Sequence, residues 1–230
     1  MNFLALFQRA KRKCRVTGTI PTTVVGQNEE FSRVIAFVNE AWMDLQLEKP
    51  DWKWMRQSMT FPTVNLQSTY TLAQIESTGT NFSNFGNWEL DTFRVYTTSV
   101  GTNDETPVSW MSYDLWRDTY QIGATRNTAS RPNQFTTTPT LGIGLGVTPA
   151  AGYTVSGDYF KVATEMVADT DTPLLPSQFH MAIVYRAMMF YGVSESAPEI
   201  YDEGNAEYTR MRRRISRHQL PTMGTGRPLA

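Results

Sequence analysis

An α+β fold is predicted by two observations: helical periodicity confined to the two ends of the chain, and strand-like composition between them. Apolar residues recur at helical spacing within 3–14, 28–48, 177–194 and 197–218. Between about 56 and 171, Thr, Val, Tyr and Phe alternate with Gly, Asn, Ser and Pro. Each terminal helix has an apolar stripe to bury, so the economical solution is a helical bundle carrying a β-rich insertion. The expected division is a helical body of 1–55 and 172–218, an insertion of 56–171, and an extended docking tail of 219–230.

The first helix places Phe3, Leu4, Phe7, Ala10 and Cys14 near one face. Arg9, Lys11, Arg12, Lys13 and Arg15 surround that face, and Gly18 with Pro21 breaks the helix. The second helix has Asn28 as N-cap, Glu29 and Glu30 in its first turn, and a stripe of Phe31, Val34, Ile35, Val38, Trp42 and Leu45. Pro50 stops it, and Trp52 and Trp54 clamp its end.

Strands are expected at Met59–Phe61, Thr69–Leu72, Leu90–Tyr96 and Val108–Met111, with a short helix at Asp114–Tyr120. Polar stretches at 77–87 and 123–133 read as long exposed loops, and Phe82 and Phe85 in the first imply that it docks on something. From Leu141 to Val147 large apolar residues alternate with Gly142, Gly144 and Gly146, an alternating strand with one small-residue face. That face permits close packing of backbone or of another subunit. Further strands are expected at Tyr153–Val155 and Tyr159–Met166.

The helix at 177–194 is apolar on so much of its circumference that it must be buried on two sides. The last helix has an inner stripe of Tyr201, Tyr208, Met211 and Ile215, and a separate face of Arg210, Arg213, Arg214 and Arg217. The tail from Leu220 to Ala230 holds too few apolar residues to fold alone. There is no internal repeat and no low-complexity tract.

With 230 residues and 40% hydrophobic content, a substantial core is affordable. The net charge of −1 argues against a dedicated nucleic-acid binder. The aromatic content of 12% suits either subunit interfaces or an ordinary core. A single cysteine excludes a disulfide framework and a Cys-rich zinc site. The apolar start lacks the preceding charges of a signal peptide, and no run approaches the roughly 20 apolar residues that span a bilayer. The chain therefore reads as soluble and non-secreted, with no membrane contact.

Catalytic signatures are sparse. His180 and His218 have no partner at metal-ligand spacing, and His180 reads as a structural residue at a helix edge. No G-x-S-x-G elbow supports a nucleophilic serine. Cys14 reads as core. Gly142-x-Gly144-x-Gly146 is followed by a turn rather than a helix, unlike a dinucleotide fingerprint. Asp169 and Asp171 lack a calcium-loop context. Asp202 and Glu203 suit the start of a helix. No cofactor or metal is expected. The arginine stripe reads either as a solvated helix face or as a contact for an acidic protein surface or DNA phosphates.

The chain resembles the head-to-tail adaptor (connector) proteins of tailed bacteriophages. The opening likeness lies in the Phe3–Cys14 helix, the Gly18-to-Gly26 loop, the Phe31–Leu45 helix and Asp51-Trp52-Lys53-Trp54-Met55. The closing likeness lies in Tyr153-Thr154-Val155, Asp158-Tyr159, Asp171-Thr172-Pro173-Leu174-Leu175-Pro176, Phe179-His180 and Tyr185 through Tyr191. The resemblance implies a non-catalytic virion protein in the neck between capsid and tail, made in the host cytoplasm. It implies a ring of twelve copies joining the portal protein to a tail tube or nozzle protein. It also implies transient, non-specific contact with packaged double-stranded DNA in the channel.

Carried onto this sequence, Arg210, Arg213, Arg214, Arg217, Leu220, Pro221, Arg227, Pro228 and Leu229 would face the portal. Phe82, Phe85, Gly142, Gly144 and Gly146 would contact neighbouring subunits or the tail. Two other classes compete: a tail-associated cell-wall hydrolase, with Glu165 and Asp169 as its carboxylates, and a β-rich receptor- or carbohydrate-binding module using exposed Trp and Tyr.

Overall fold

The computed structural model describes residues 1–150 and 152–220. Its helices are α1 (Phe3–Lys13), α2 (Glu29–Leu47), α3 (Leu72–Thr78), α4 (Tyr113–Tyr120), α5 (Met181–Ser194) and α6 (Pro198–Gln219). Its strands are β1 (Arg56–Pro62), β2 (Thr69–Tyr70), β3 (Phe85–Thr97), β4 (Thr106–Pro107), β5 (Ser109–Trp110), β6 (Ala129–Ser130), β7 (Gln134–Thr137), β8 (Ile143–Leu145), β9 (Thr148–Pro149) and β10 (Tyr153–Lys161). This is an α+β chain with helices at its two ends and strands between them. It divides into two compact units, one of Met1–Met55 with the chain from Ala163 on, the other of Arg56–Val162.

In the helical unit, α5 is the central element. Ala182, Ile183, Val184, Ala187 and Met188 are buried around its circumference, and α1, α2 and α6 all pack on it. The caps follow from sequence: Asn2 accepts from the Ala5 amide at 3.0 Å and Asn28 from the Phe31 amide at 3.1 Å. Phe3, Leu6 and Phe7 of α1 and Val34, Val38, Trp42 and Leu45 of α2 complete the core. Burial of each such side chain contributes about 1.5–3 kcal/mol. Trp52 donates its indole N–H to the Leu45 carbonyl at 2.9 Å and stacks on Trp54 with ring centroids 4.3 Å apart. The clamp on the end of α2 is thus built from this pair.

Two local expectations for this unit change. Lys11 does not surround the apolar face of α1; it is buried, and its ammonium donates to the carbonyls of Val16 (2.9 Å) and Gly18 (2.8 Å). The strand expected to run through Met166 ends at Lys161. Residues 164–166 instead lie along α2, where Asn39 exchanges hydrogen bonds with Met166 and Gln46 with Thr164, and the carbonyls of Asp169 and Asp171 accept from the first amides of α1.

The β-rich unit holds a four-stranded sheet in the order β1-β10-β3-β4, a second sheet in the order β2-β8-β7-β5, and the small pair β6-β9. Its core joins Met59, Phe61, Tyr70, Ile75, Phe93, Val95, Phe135, Ile143, Leu145, Val155 and Tyr159. The expected strand through Leu72 stops at Tyr70 because Thr71 caps α3, with a reciprocal capping box to Gln74. The loop expected at 77–87 is consequently short: α3 runs to Thr78 and β3 begins at Phe85. The segment 123–133 carries a 3-10 turn and β6.

Candidate interaction surfaces

Within the helical unit the exposed face of α6 is divided by charge. Its first half carries Glu199, Asp202, Glu203 and Glu207; its second half carries Arg210, Arg212, Arg213, Arg214 and Arg217. The basic end of α1 neutralises the acidic half, through Lys13–Glu203 at 2.7 Å and Arg15–Glu199 at 3.6 Å. Arg210 pairs with Glu207 at 2.7 Å. Arg212 reaches Glu48, the C-cap of α2, at 2.5 Å. Arg213, Arg214 and Arg217 are exposed and have no carboxylate partner among the described residues. Leu220 follows them half-buried, and Pro221, Arg227, Pro228 and Leu229 lie outside the described residues.

A polar cluster braces α2, α5 and α6 around a cleft of about 310 Å³. Arg186 pairs with Asp44 at 2.8 Å and lies over the rings of Phe190 and Tyr208. Tyr208 donates to Glu48 at 3.2 Å, and burial, with Glu48 beside it, pushes its phenol well above the ordinary range. Every charge in the cleft has a partner, which suits a brace between helices.

His180 is buried. Its Nε2–H donates to the Leu175 carbonyl at 2.7 Å, and its Nδ1 lies 2.7 Å from the Met1 amino nitrogen. Burial holds its pKa below the ordinary value. Cys14 is likewise buried, and desolvation pushes its thiol up to about 12. The Asp169 carboxylate accepts from the Val24 amide at 2.6 Å, whereas Glu165 is exposed. The hydrolase reading thus has one of its two carboxylates tied to backbone.

In the β-rich unit, Phe82 and Phe85 dock on their own sheet. Phe82 stacks on Trp88 at 5.5 Å and meets Tyr159 at 4.9 Å, while Phe85 lies 4.4 Å from Trp88. Gly142, Gly144 and Gly146 are buried, and so are Ile143 and Leu145 between them, so both faces of β8 are covered. A Cβ on Gly144 would lie 2.9 Å from both Thr136 and the Trp116 ring. One on Gly146 would lie 3.0 Å from Gln134. The close approach that these glycines allow is made within the chain.

The outer face of the first sheet carries a groove of about 440 Å³ lined by hydroxyls and paired charges, Arg56–Asp158 at 2.7 Å and Arg94–Glu105 at 3.0 Å. Beside it, Arg131 holds Asp104, whose carboxyl is drawn down to about 2 by the Thr97 hydroxyl and by Arg131.

Four loops meet at the end of this unit where β1 stops and β10 starts. Leu66 N–H donates to Pro149 O at 3.0 Å, Ala150 N–H to Ser130 O at 3.2 Å, and Thr98 N–H to Gly152 O at 3.1 Å. Gln121 donates to the Ser68 hydroxyl at 3.4 Å. Val64, Leu66, Val100 and Ile122 project from these loops with 56%, 66%, 56% and 61% exposure.

A family model described as SU10 adaptor protein matches residues 1–228. The chain belongs to the SU10 adaptor protein family. The match takes in the helices, the β-rich unit and nearly all of the closing segment, and it agrees with the likeness to phage head-to-tail adaptors drawn from the terminal motifs. Adaptor families act as structural parts of a virion rather than as catalysts. No curated protein matches the chain. Among the described residues, no helix is long and apolar enough to cross a membrane. Sequence reasoning found the arginine stripe but missed the four-loop end.

Proposed function

We propose that this SU10-family chain is a head-to-tail adaptor: copies form a ring, twelve in number, that joins the portal protein to the tail tube or nozzle protein and surrounds the DNA path. The family match over 1–228 carries this reading, because it spans the whole folded chain rather than a module within it. The working position is the neck of the virion, and the role is non-catalytic.

Arg210, Arg213, Arg214, Arg217 and Leu220, with the closing segment that includes Pro221, Arg227, Pro228 and Leu229, form the portal-facing part. Arg213, Arg214 and Arg217, which have no carboxylate partner among the described residues and lie directly before that segment, support the assignment, since arginine forks suit carboxylate-rich protein surfaces. DNA contact is transient and non-specific: the net charge is −1, and a channel wall must let DNA pass. Weak contacts suffice when they repeat around a ring.

Deletion of Gln219–Ala230 tests the assignment. The truncated chain folds but no longer joins heads to tails. Normal joining by the truncated chain contradicts it.

A further inference from the structure

The β-rich unit carries two clefts of opposite charge on opposite sides. Its two sheets meet face to face in the core, where Phe93 stacks on Phe135 with ring centroids 4.2 Å apart and Phe61 meets Tyr70 at 5.2 Å. Side chains alternate along a strand, so the neighbours of these residues point outward. Thr60, Arg94 and Ser156 accordingly line the groove of about 440 Å³ on the outer side of the first sheet. On the outer side of the second sheet, Thr69, Gly144 and Thr136 form one cross-strand row. Helix α4 lies over that row, with the Trp116 ring against Gly144. There Thr69 and Thr138, with Tyr113, Trp116 and Arg117 of α4 and Arg126 beyond it, line a second cleft of about 350 Å³.

The second cleft is cationic and uncompensated. The unit has five arginines, and three hold carboxylates: Arg56–Asp158, Arg94–Glu105 and Arg131–Asp104. Arg117 and Arg126 hold none among the described residues, and both line this one cleft. No carboxylate lines it. Asp114 and Asp118 belong to α4 too, but they stay outside the cleft and form no ion pair with Arg117. Arg126 Nη2 donates to the Gln121 carbonyl at 2.6 Å, which steadies its guanidinium beside the cleft. The groove on the first sheet has the opposite surplus. Its charged lining is Arg56, Arg94, Asp91, Glu105 and Asp158. Both arginines are paired there, which leaves Asp91, an exposed carboxylate with no cationic partner among the described residues.

A closed ring of identical copies needs two different, complementary surfaces on each copy, because every contact is head-to-tail. We propose that the Arg117–Arg126 cleft of one copy receives the Asp91 side of the next copy's groove, forming at each subunit contact an ion pair that a single copy cannot make. An arginine fork binds a carboxylate through parallel N–H bonds. Tyr113 and Trp116, stacked with ring centroids 5.8 Å apart, wall the cleft and lower the local dielectric around that pair. Duplex DNA fits this cleft poorly, since its backbone calls for a run of cations and α4 sets Asp114 and Asp118 beside the two present. One such pair is a weak contact, and repetition around the ring makes it effective.

The proposal rests on the ring reading, and the test separates the two. Arg117→Glu and Asp91→Arg, each alone and both in one chain, are mixed with portal protein, and ringed portals are counted by electron microscopy. Both positions are exposed, so melting temperatures hold within about 2 °C. Each single reversal opposes like charges and lowers the ringed fraction by about tenfold or more. The double variant restores opposite charges across the contact and recovers rings. In a second arm, Arg117→Lys assemblies are treated with a carbodiimide, which joins an amine to a carboxylate in contact with it. The new amine couples to Asp91 of a second copy and yields a ladder of multimers. This arm conserves charge and covers a reversal that disturbs folding. Rings at wild-type frequency in both single variants overturn the proposal and leave the ring reading intact. So does a double variant as defective as the singles, or coupling only to Asp114 or Asp118 of the same chain or to another protein. Wild-type chain that forms no ring overturns both.

Discussion

The Nε2–H of His180 donates to the backbone carbonyl of Leu175 at 2.7 Å, which puts a proton on Nε2 of the buried ring, and burial disfavours a second one on Nδ1. Charging this ring would desolvate a cation beside the Met1 amino group.

The consequence is a defined pH dependence. The folded pKa of His180 lies below the ordinary value of 6.5, so between the two values the unfolded chain binds the proton more readily. Stability from this group is complete above about 6.5 and is lost as pH falls toward the folded pKa. Urea midpoints measured at pH 8, 7, 6 and 5 should fall through this window, and His180→Gln should flatten the fall. A wild-type midpoint that rises from pH 8 to 5 contradicts the neutral-ring assignment. Asp104 acts in a separate window, below its ordinary value of 3.8 and toward about 2.

Cys14 should be inert in the folded chain. A thiol pushed up to about 12 holds roughly a thousandfold less thiolate at pH 8 than an ordinary one. An aromatic disulfide reagent should release no colour from native protein and one equivalent after denaturation. Rapid native labelling would place Cys14 outside the core.

Gly144 should not tolerate a side chain. A Cβ would sit 2.9 Å from both Thr136 and the Trp116 ring, whose indole N–H is fixed to the Leu145 carbonyl at 2.8 Å. Gly144→Ala should cost about 1–3 kcal/mol by overpacking. Urea unfolding followed by tryptophan fluorescence reads the cost directly, and an unchanged midpoint shows that β8 can relax.

The triple variant Arg213→Ala, Arg214→Ala, Arg217→Ala separates joining from folding. No ion pair is lost among the described residues, so stability should change by less than about 0.5 kcal/mol per site. Head-to-tail joining in vitro should fall sharply. Full joining by a folded triple variant would return the stripe to a solvated face.

The legibility of this chain followed the range of the forces involved. The terminal helices were readable because their apolar spacing, and at α2 the Asn28 cap, act within a few residues. Helix α3 was hidden because it buries only Ile75, and its one local signal was the Thr71–Gln74 capping box. Lys11 carries a surface residue's chemistry, and only the return of the chain at Val16 and Gly18 satisfies it in the interior. The stretch after Lys161 has strand-like composition, but the side chains of Asn39 and Gln46 take its backbone groups. The arginine stripe was plain in sequence. Which of its arginines pair was not, since Glu48 and Glu207 had first to be placed. The four-loop end depended on the pairing of β1, β10 and β3.

The most direct test of the adaptor role is electron microscopy of the purified chain mixed with the portal protein of its own virion. Annular density, twelve-fold in projection, should be seated on one end of the portal and lost on deletion of Gln219–Ala230. Portals that remain bare at saturating concentrations of folded, full-length chain would contradict it.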